Sequence, residues 1–294
     1  MLSHLLFKDK LTILFCLLDD FLALRPKPNQ ALVSGKNPAG RPANLTPAEL
    51  LTLALFRFWT TLGNWKAFYD MMDAGFRQEF PKLPCYETLR RQINAHGPLG
   101  LLLLSALLGC QEGPGTYALD ATAIAVSPQR RQAKVVRQWA AWGKDSDRHW
   151  SFGFKLHAVC DQQGQLVSLR ITPGNVADVT QAEALLSRLP GLVVADAAYI
   201  STPLREKLWE LGLLLLTPLR KNMKGLASLE QTQQFSRRSI IETVFSVLKD
   251  QLGLVTSLPR SLDGYLSHYV LVLLAYQLGR RVTHALFSPP LPYP

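Results

Sequence analysis

Three acids sit among apolar neighbours, where a charge is conspicuous. Asp120 lies within YALDATAIAV, Asp196 ends the apolar strand-like run in GLVVADAAYI, and Glu242 lies within RRSIIETVFSVLKDQLG. A carboxylate in a buried strand costs several kcal/mol unless it is paired or bound to a cation. Each acid also has an ordinary explanation: Asp120 facing solvent through strand alternation, Asp196 capping the following turn, and Glu242 as one rung of a surface ladder. At 100° per residue, Ile241, Val244, Leu248 and Leu252 fall on one face of a helix. Relative to Glu242, Arg238 lies near about −40° and Lys249 near about −20°, so the three charges share a second face. Taken together the acids form an all-oxygen donor set without Cys or His, which suits Mg²⁺. Two such ions could hold a phosphodiester for in-line attack, one generating the nucleophile and one stabilising the departing oxygen.

The surrounding pattern predicts the elements that would position them. Residues 116–126, 151–160 and 165–171 read as strands rich in β-branched and aromatic residues, with DQQG (161–164) as a hairpin turn between the last two. A helix over 178–189, a strand over 192–196, a helix over 203–211, a strand over 213–219 and a helical tail follow. Strands linked by helices must be covered by those helices, so this is an α/β domain with a mixed five-stranded sheet. Its order of elements is that of the ribonuclease H fold.

The chain has 32 basic and 22 acidic residues, a net charge of +10, which favours a polyanionic partner. Basic residues gather at 127–150, where Arg130, Arg131 and Lys134 stand beside Trp139 and Trp142. That mixture suits backbone phosphates together with a stacked base, or else tryptophans packed on the domain with their cations in solvent. Arg220 and Lys221 follow the last strand and are read as phosphate contacts. The four cysteines show neither zinc-site nor disulfide spacing. The apolar runs at 99–109 and 266–279 are too short to span a bilayer and read as core helices. With no recognisable leader at the N-terminus, the expected location is cytoplasmic, and nucleoid-associated when DNA is bound.

Phe235, Arg238, Glu242 and Lys249 reproduce a spacing of Tyr, two residues, Arg, three residues, Glu, six residues, Lys, with Phe in place of Tyr. With LDATAI, FGFKLHAV, TPGNVAD and ADAAY, the region 115–280 resembles the DDE transposases of bacterial insertion sequences, in the branch that carries the Tyr/Arg/Glu/Lys motif. The resemblance implies that Asp120, Asp196 and Glu242 are catalytic and ligate two Mg²⁺ or Mn²⁺ ions. It also implies that Arg238 and Lys249 touch phosphate near the cut. The implied reaction is cleavage at transposon-end phosphodiester bonds, then transfer of the 3′-OH into target DNA. The partners are double-stranded end and target DNA, with a homodimer on DNA joining two ends. Phe235 lacks the family hydroxyl but keeps a ring for stacking, and Ala197 and Ala198 replace a more usual Gly-containing turn.

Residues 1–112 read as a helical DNA-binding domain, and 113–294 as the ribonuclease H-like catalytic domain carrying the basic insertion 127–150 and the C-terminal helices. Helices at 64–75 and 85–96, joined by FPKLP, form a candidate helix-turn-helix in which Arg90 and Arg91 would face a groove. Two other functions fit the same residues: a metal-dependent nuclease or resolvase without strand transfer, and a DNA-binding regulator derived from a transposase that no longer cuts.

Overall fold

A computed structural model describes residues 7–24, 44–60, 62, 64–108, 113–126, 134–144, 149–218, 235–256 and 259–283. Contacts divide the chain into two units, residues 1–105 with 261–294, and residues 106–260.

The first unit is helical: α1 (Phe7–Ala23), α2 (Pro47–Phe56), α3 (Trp65–Gly75), α4 (Tyr86–Ala95), α5 (Gly97–Leu107) and the long C-terminal α9 (Leu262–Thr283). The predicted capping box starts α2. The Glu49 amide donates to Thr46 Oγ1 at 3.2 Å, and the Thr46 amide donates to Glu49 Oε2 at 2.6 Å. Pro47 occupies the first turn, where its missing N–H costs nothing. Every residue of α2 except Pro47 and Glu49 is buried, so α2 is the axis around which α1, α4 and α9 pack.

The expected boundary at 112/113 assigned the C-terminal helices to the sheet, but α9 packs with the N-terminal helices. Its Tyr265, Tyr269 and 271–275 stretch is buried against α2 and α4. The Trp59 indole donates to the Ala275 carbonyl at 3.3 Å, and the Ser267 hydroxyl to the Asn94 carbonyl at 2.9 Å. Among the described residues, no helix is long and apolar enough to cross a membrane.

The second unit is a six-stranded mixed sheet: β1 (Gly115–Ala125), β2 (Ala141–Lys144), β3 (Trp150–Asp161), β4 (Leu166–Pro173), β5 (Gly191–Ala195) and β6 (Leu213–Leu216). β1 runs antiparallel to β3 and parallel to β5, which in turn is parallel to β6. The five expected strands are all present. The sixth, β2, comes from the basic insertion and shares one edge of the long β3 with β4, pairing at Trp150–Gly153 while β4 pairs beyond it. In the hairpin turn, Asp161 Oδ1 accepts from the Gln163 and Gln165 amides at 2.9 and 2.8 Å, and Gly164 takes φ +75°.

Helices α6 (Val179–Leu186) and α7 (Thr202–Glu210) bury Ala182, Leu185, Leu186, Leu204 and Leu208 against Tyr117, Leu119, Val159, Val193 and Ala195. Helix α8 (Ser239–Ser246) contacts β1 and β3, and continues into a π turn, Val247–Gln251. The predicted apolar stripe, Ile241, Val244, Leu248 and Leu252, is buried throughout.

Candidate active site

Register brings the two strand acids together. Leu119 pairs with Ala195 across parallel β1 and β5, and both belong to the core under α6 and α7. The next residue on each chain is an aspartate, and alternation turns it to the opposite face of the sheet. This face of β1 is the one that α8 contacts. The site therefore lies where β5 ends, at the carboxyl end of parallel strands, where open α/β sheets place ligands.

Asp120 and Asp196 each fix one oxygen on the following backbone amide, Ala121 N to Asp120 Oδ1 at 2.8 Å and Ala197 N to Asp196 Oδ1 at 2.6 Å. Asp196 thereby caps the short 3₁₀ turn Ala197–Tyr199, so its ordinary role as a cap and a place in the site coexist. Arg238 joins the helix to the strand. One guanidinium nitrogen meets Asp120 Oδ2 at 3.2 Å, and another meets Glu242 Oε1 at 2.7 Å. Burial holds the Asp120 carboxyl up at about 6; the Ala121 amide and Arg238 pull it down, while Asp196 and Asp178 push it up.

Four further groups join this neighbourhood. The Tyr199 hydroxyl is buried and has no hydrogen-bond partner among the described residues. Burial, then Asp178, Asp120 and Asp196, keep it protonated well above the ordinary range. Asp178, just ahead of α6, accepts from Lys155 Nζ at 2.8 Å, and the same ammonium donates to the Val176 carbonyl at 3.0 Å. Fully buried His157 binds Thr172 Oγ1 through Nε2 at 2.8 Å and lies 3.7 Å from Asp178 through Nδ1.

The oxygen donors of Asp120 and Asp196 and the orphaned Tyr199 hydroxyl fit a hydrated divalent cation. Among the described residues, however, no three acidic, His or Cys side chains are gathered closely enough to hold a metal. Arg238 stands between Asp120 and Glu242.

A family model, the transposase DDE domain, matches residues 111–261, just over half of the chain. The chain belongs to the DDE transposases. Over 118 residues this transposase is 30% identical to a Brucella ovis protein named as a transposase for insertion sequence element IS6501, covering 38% of this chain and 88% of that protein. The cryo-EM structure of a piggyBac transposase synaptic complex with hairpin DNA aligns with TM-score 0.60 at 10% identity, over 93% of this chain and 75% of that one. The transposase therefore has the expected ribonuclease H-like fold.

The remaining predicted residues of the transposase are scattered. Phe235 is half-buried and its carbonyl accepts from the Arg238 amide at 3.1 Å, ahead of α8. Lys249 lies within the π turn, where Leu252 N reaches the Val247 carbonyl at 3.0 Å. That wider turn changes the helical phase beyond Glu242, so a uniform 100° step no longer sets the angle of Lys249. Arg90, expected to face a groove, is half-buried, and its guanidinium stacks 4.3 Å from the Trp65 ring centroid. Arg57 covers the same ring at 4.9 Å. Arg91 is exposed on α4, and Lys134 on the segment before β2. Trp139 and Trp142 are exposed too, although the Trp142 ring centroid lies 5.7 Å from that of Phe152; among the described residues of that stretch Val136, Ala140 and Gly143 are buried. Arg130, Arg131, Arg220 and Lys221 lie outside the described residues. Sequence reasoning missed Tyr199, Asp178, Lys155 and His157 as site neighbours. TPGNVAD and ADAAY contained two of them, but only strand register and the turns bring them together.

Proposed function

We propose that the chain cleaves phosphodiester bonds at the ends of a transposable DNA element and transfers the freed 3′-OH into target DNA. Asp120, Asp196 and Glu242 are its catalytic acids. The observation that carries this reading is the Asp120–Arg238–Glu242 relay of ion pairs beside Asp196.

Arg238 holds two carboxylates with separate nitrogens, an arrangement a phosphate can replace with bidentate bonds. An incoming phosphodiester competes for the guanidinium and frees Asp120 Oδ2 and Glu242 Oε1, so DNA binding assembles the acid set. Asp120, Asp196 and then Glu242 would hold two Mg²⁺ or Mn²⁺ ions, which when bound supply nucleophile activation and leaving-group stabilisation. The Ala121 and Ala197 amides keep the two aspartates in place, and buried Tyr199 closes the site beneath them. Lys249, Phe235, Lys134, Trp139 and Trp142 flank the bound strand, Arg91 on α4 supports the helical unit's contact with duplex DNA, and a homodimer holds two ends.

The test is nicking of end DNA with Mg²⁺ or Mn²⁺. Asp120→Ala, Asp196→Ala and Glu242→Ala should each abolish nicking while retaining DNA binding. Normal cleavage by Glu242→Ala would sink the assignment.

A further inference from the structure

Away from the α8 face, the second unit carries a pocket of about 460 Å³. One wall is β2, with Trp142, Gly143 and Lys144; Trp150, at the start of β3, also lines it. The turn from Gly174 to Val179 forms another wall, and Lys155 with Asp178 contributes its polar part. Ala198 is also in the lining, two residues beyond Asp196.

Backbone packing sets this shape before any ligand arrives. A Cβ on Gly143 would run into the Gly174 carbonyl, and a Cβ on Gly174 would meet the Ala141 carbonyl at 2.7 Å. The Gly174 amide donates to the Gly153 carbonyl at 3.0 Å, tying the turn to β3. Lys155 ties the other end of the turn down through Val176 and Asp178.

The chemistry of the lining is specific. Trp142 and Trp150 are 59% and 62% exposed, unusual for the largest aromatic residue. A single exposed tryptophan needs no explanation, but these two border one cavity. The Lys144 ammonium lies 5.0 Å from the centroid of the Trp150 ring. Lys144 and Lys155 face one acid, Asp178, which Lys155 already neutralises. Aromatic faces with surplus positive charge are what a flat base bearing a phosphate requires. The volume suits a small ligand and is far too small for a duplex.

We propose that this pocket receives one unpaired nucleotide of a DNA strand whose continuation runs past Ala198 to the acids. The base stacks on Trp142 or Trp150, and Lys144 holds its phosphate. This rests on the transposase reading but makes a separate demand on the protein.

The full chain is titrated in EDTA with two fluorescently labelled duplexes, identical except that in one a central base faces an abasic site. Stacking of the unpaired base should make that duplex bind roughly ten-fold more tightly. In Trp142→Ala/Trp150→Ala the preference should fall to about one, the duplex with the unpaired base losing roughly ten-fold more affinity than the paired duplex, whereas Trp142→Phe/Trp150→Phe should keep most of it. Equal affinity of the unaltered chain for both duplexes overturns the proposal, as does a proportionate loss on both in the alanine variant. Circular dichroism confirms that the variants are folded. Because no cleavage is involved, the two readings fail separately. Nicking that depends on the acids, without a preference for the unpaired base, removes only the pocket; a preference with nicking that ignores the acids removes only the catalytic assignment.

Discussion

His157 shows how a side chain near the acids can shape the molecule without touching the reaction. It is fully buried, and burial lowers its pKa to about 4. Lys155 on the same strand and Arg170 on β4 push in the same direction, while Asp178 opposes them. An unfolded chain, with a histidine near 6.5, binds the proton that the folded chain refuses between about 6.5 and about 4. Stability from this group is therefore complete above that window and is lost as pH falls through it. In urea melts at pH 7 and pH 4.5, the unaltered chain should lose roughly 1 to 3 kcal/mol more than His157→Gln. Equal losses would mean that His157 accepts its proton in the fold. The three acids were legible in the sequence because charge stands out against apolar runs, and Arg238 because it lies one helical turn from Glu242. His157, Tyr199 and Asp178 were not, because a His among apolar residues and a Tyr after a strand give no signal until register makes them neighbours.

At the scale of elements, the strands that span the core followed from β-branched composition, and α2 from its capping box. Two elements did not follow. β2 is only four residues long, and its alternation is hidden by the cations and tryptophans around it. The π turn after α8 inserts a phase change that no period count reveals, because Val247 and Leu248 remain buried on either reading. β2 is paired with β3 and also makes a close backbone approach to the Gly174 turn, which Gly143 permits. Gly143→Ala should therefore separate β2 from the Gly174 turn and destabilise the second unit by roughly 1 to 3 kcal/mol. Gly75→Ala, at a site where an added Cβ meets nothing within 4 Å, serves as a control and should stay within about 0.5 kcal/mol. Thermal melts of both variants check this, and similar melts would mean that β2 has room to shift.

For the whole molecule, the helical unit is discontinuous in sequence. Nothing in the local pattern of 261–283 says whether it covers the sheet or the N-terminal helices, because an apolar helix fits either surface. The choice is made by long-range contacts: Gly97 lies so close to Ser267 that any side chain there would collide with it, and Gly100 lies against Val270. Helix α2, buried on all sides, needs α9 to cover the face that α1 and α4 leave. A chain ending at residue 260 should therefore keep the sheet and lose the helical unit. Limited proteolysis should then degrade 1–105 while sparing 106–260, and supplying 261–294 as a separate peptide should restore protection. Protection of 1–105 without that peptide would mean that the first five helices close a core of their own. If the prediction holds, the helical unit cannot finish folding until the last helix has been synthesised, so a truncated product would keep the acids without the unit proposed to grip duplex DNA.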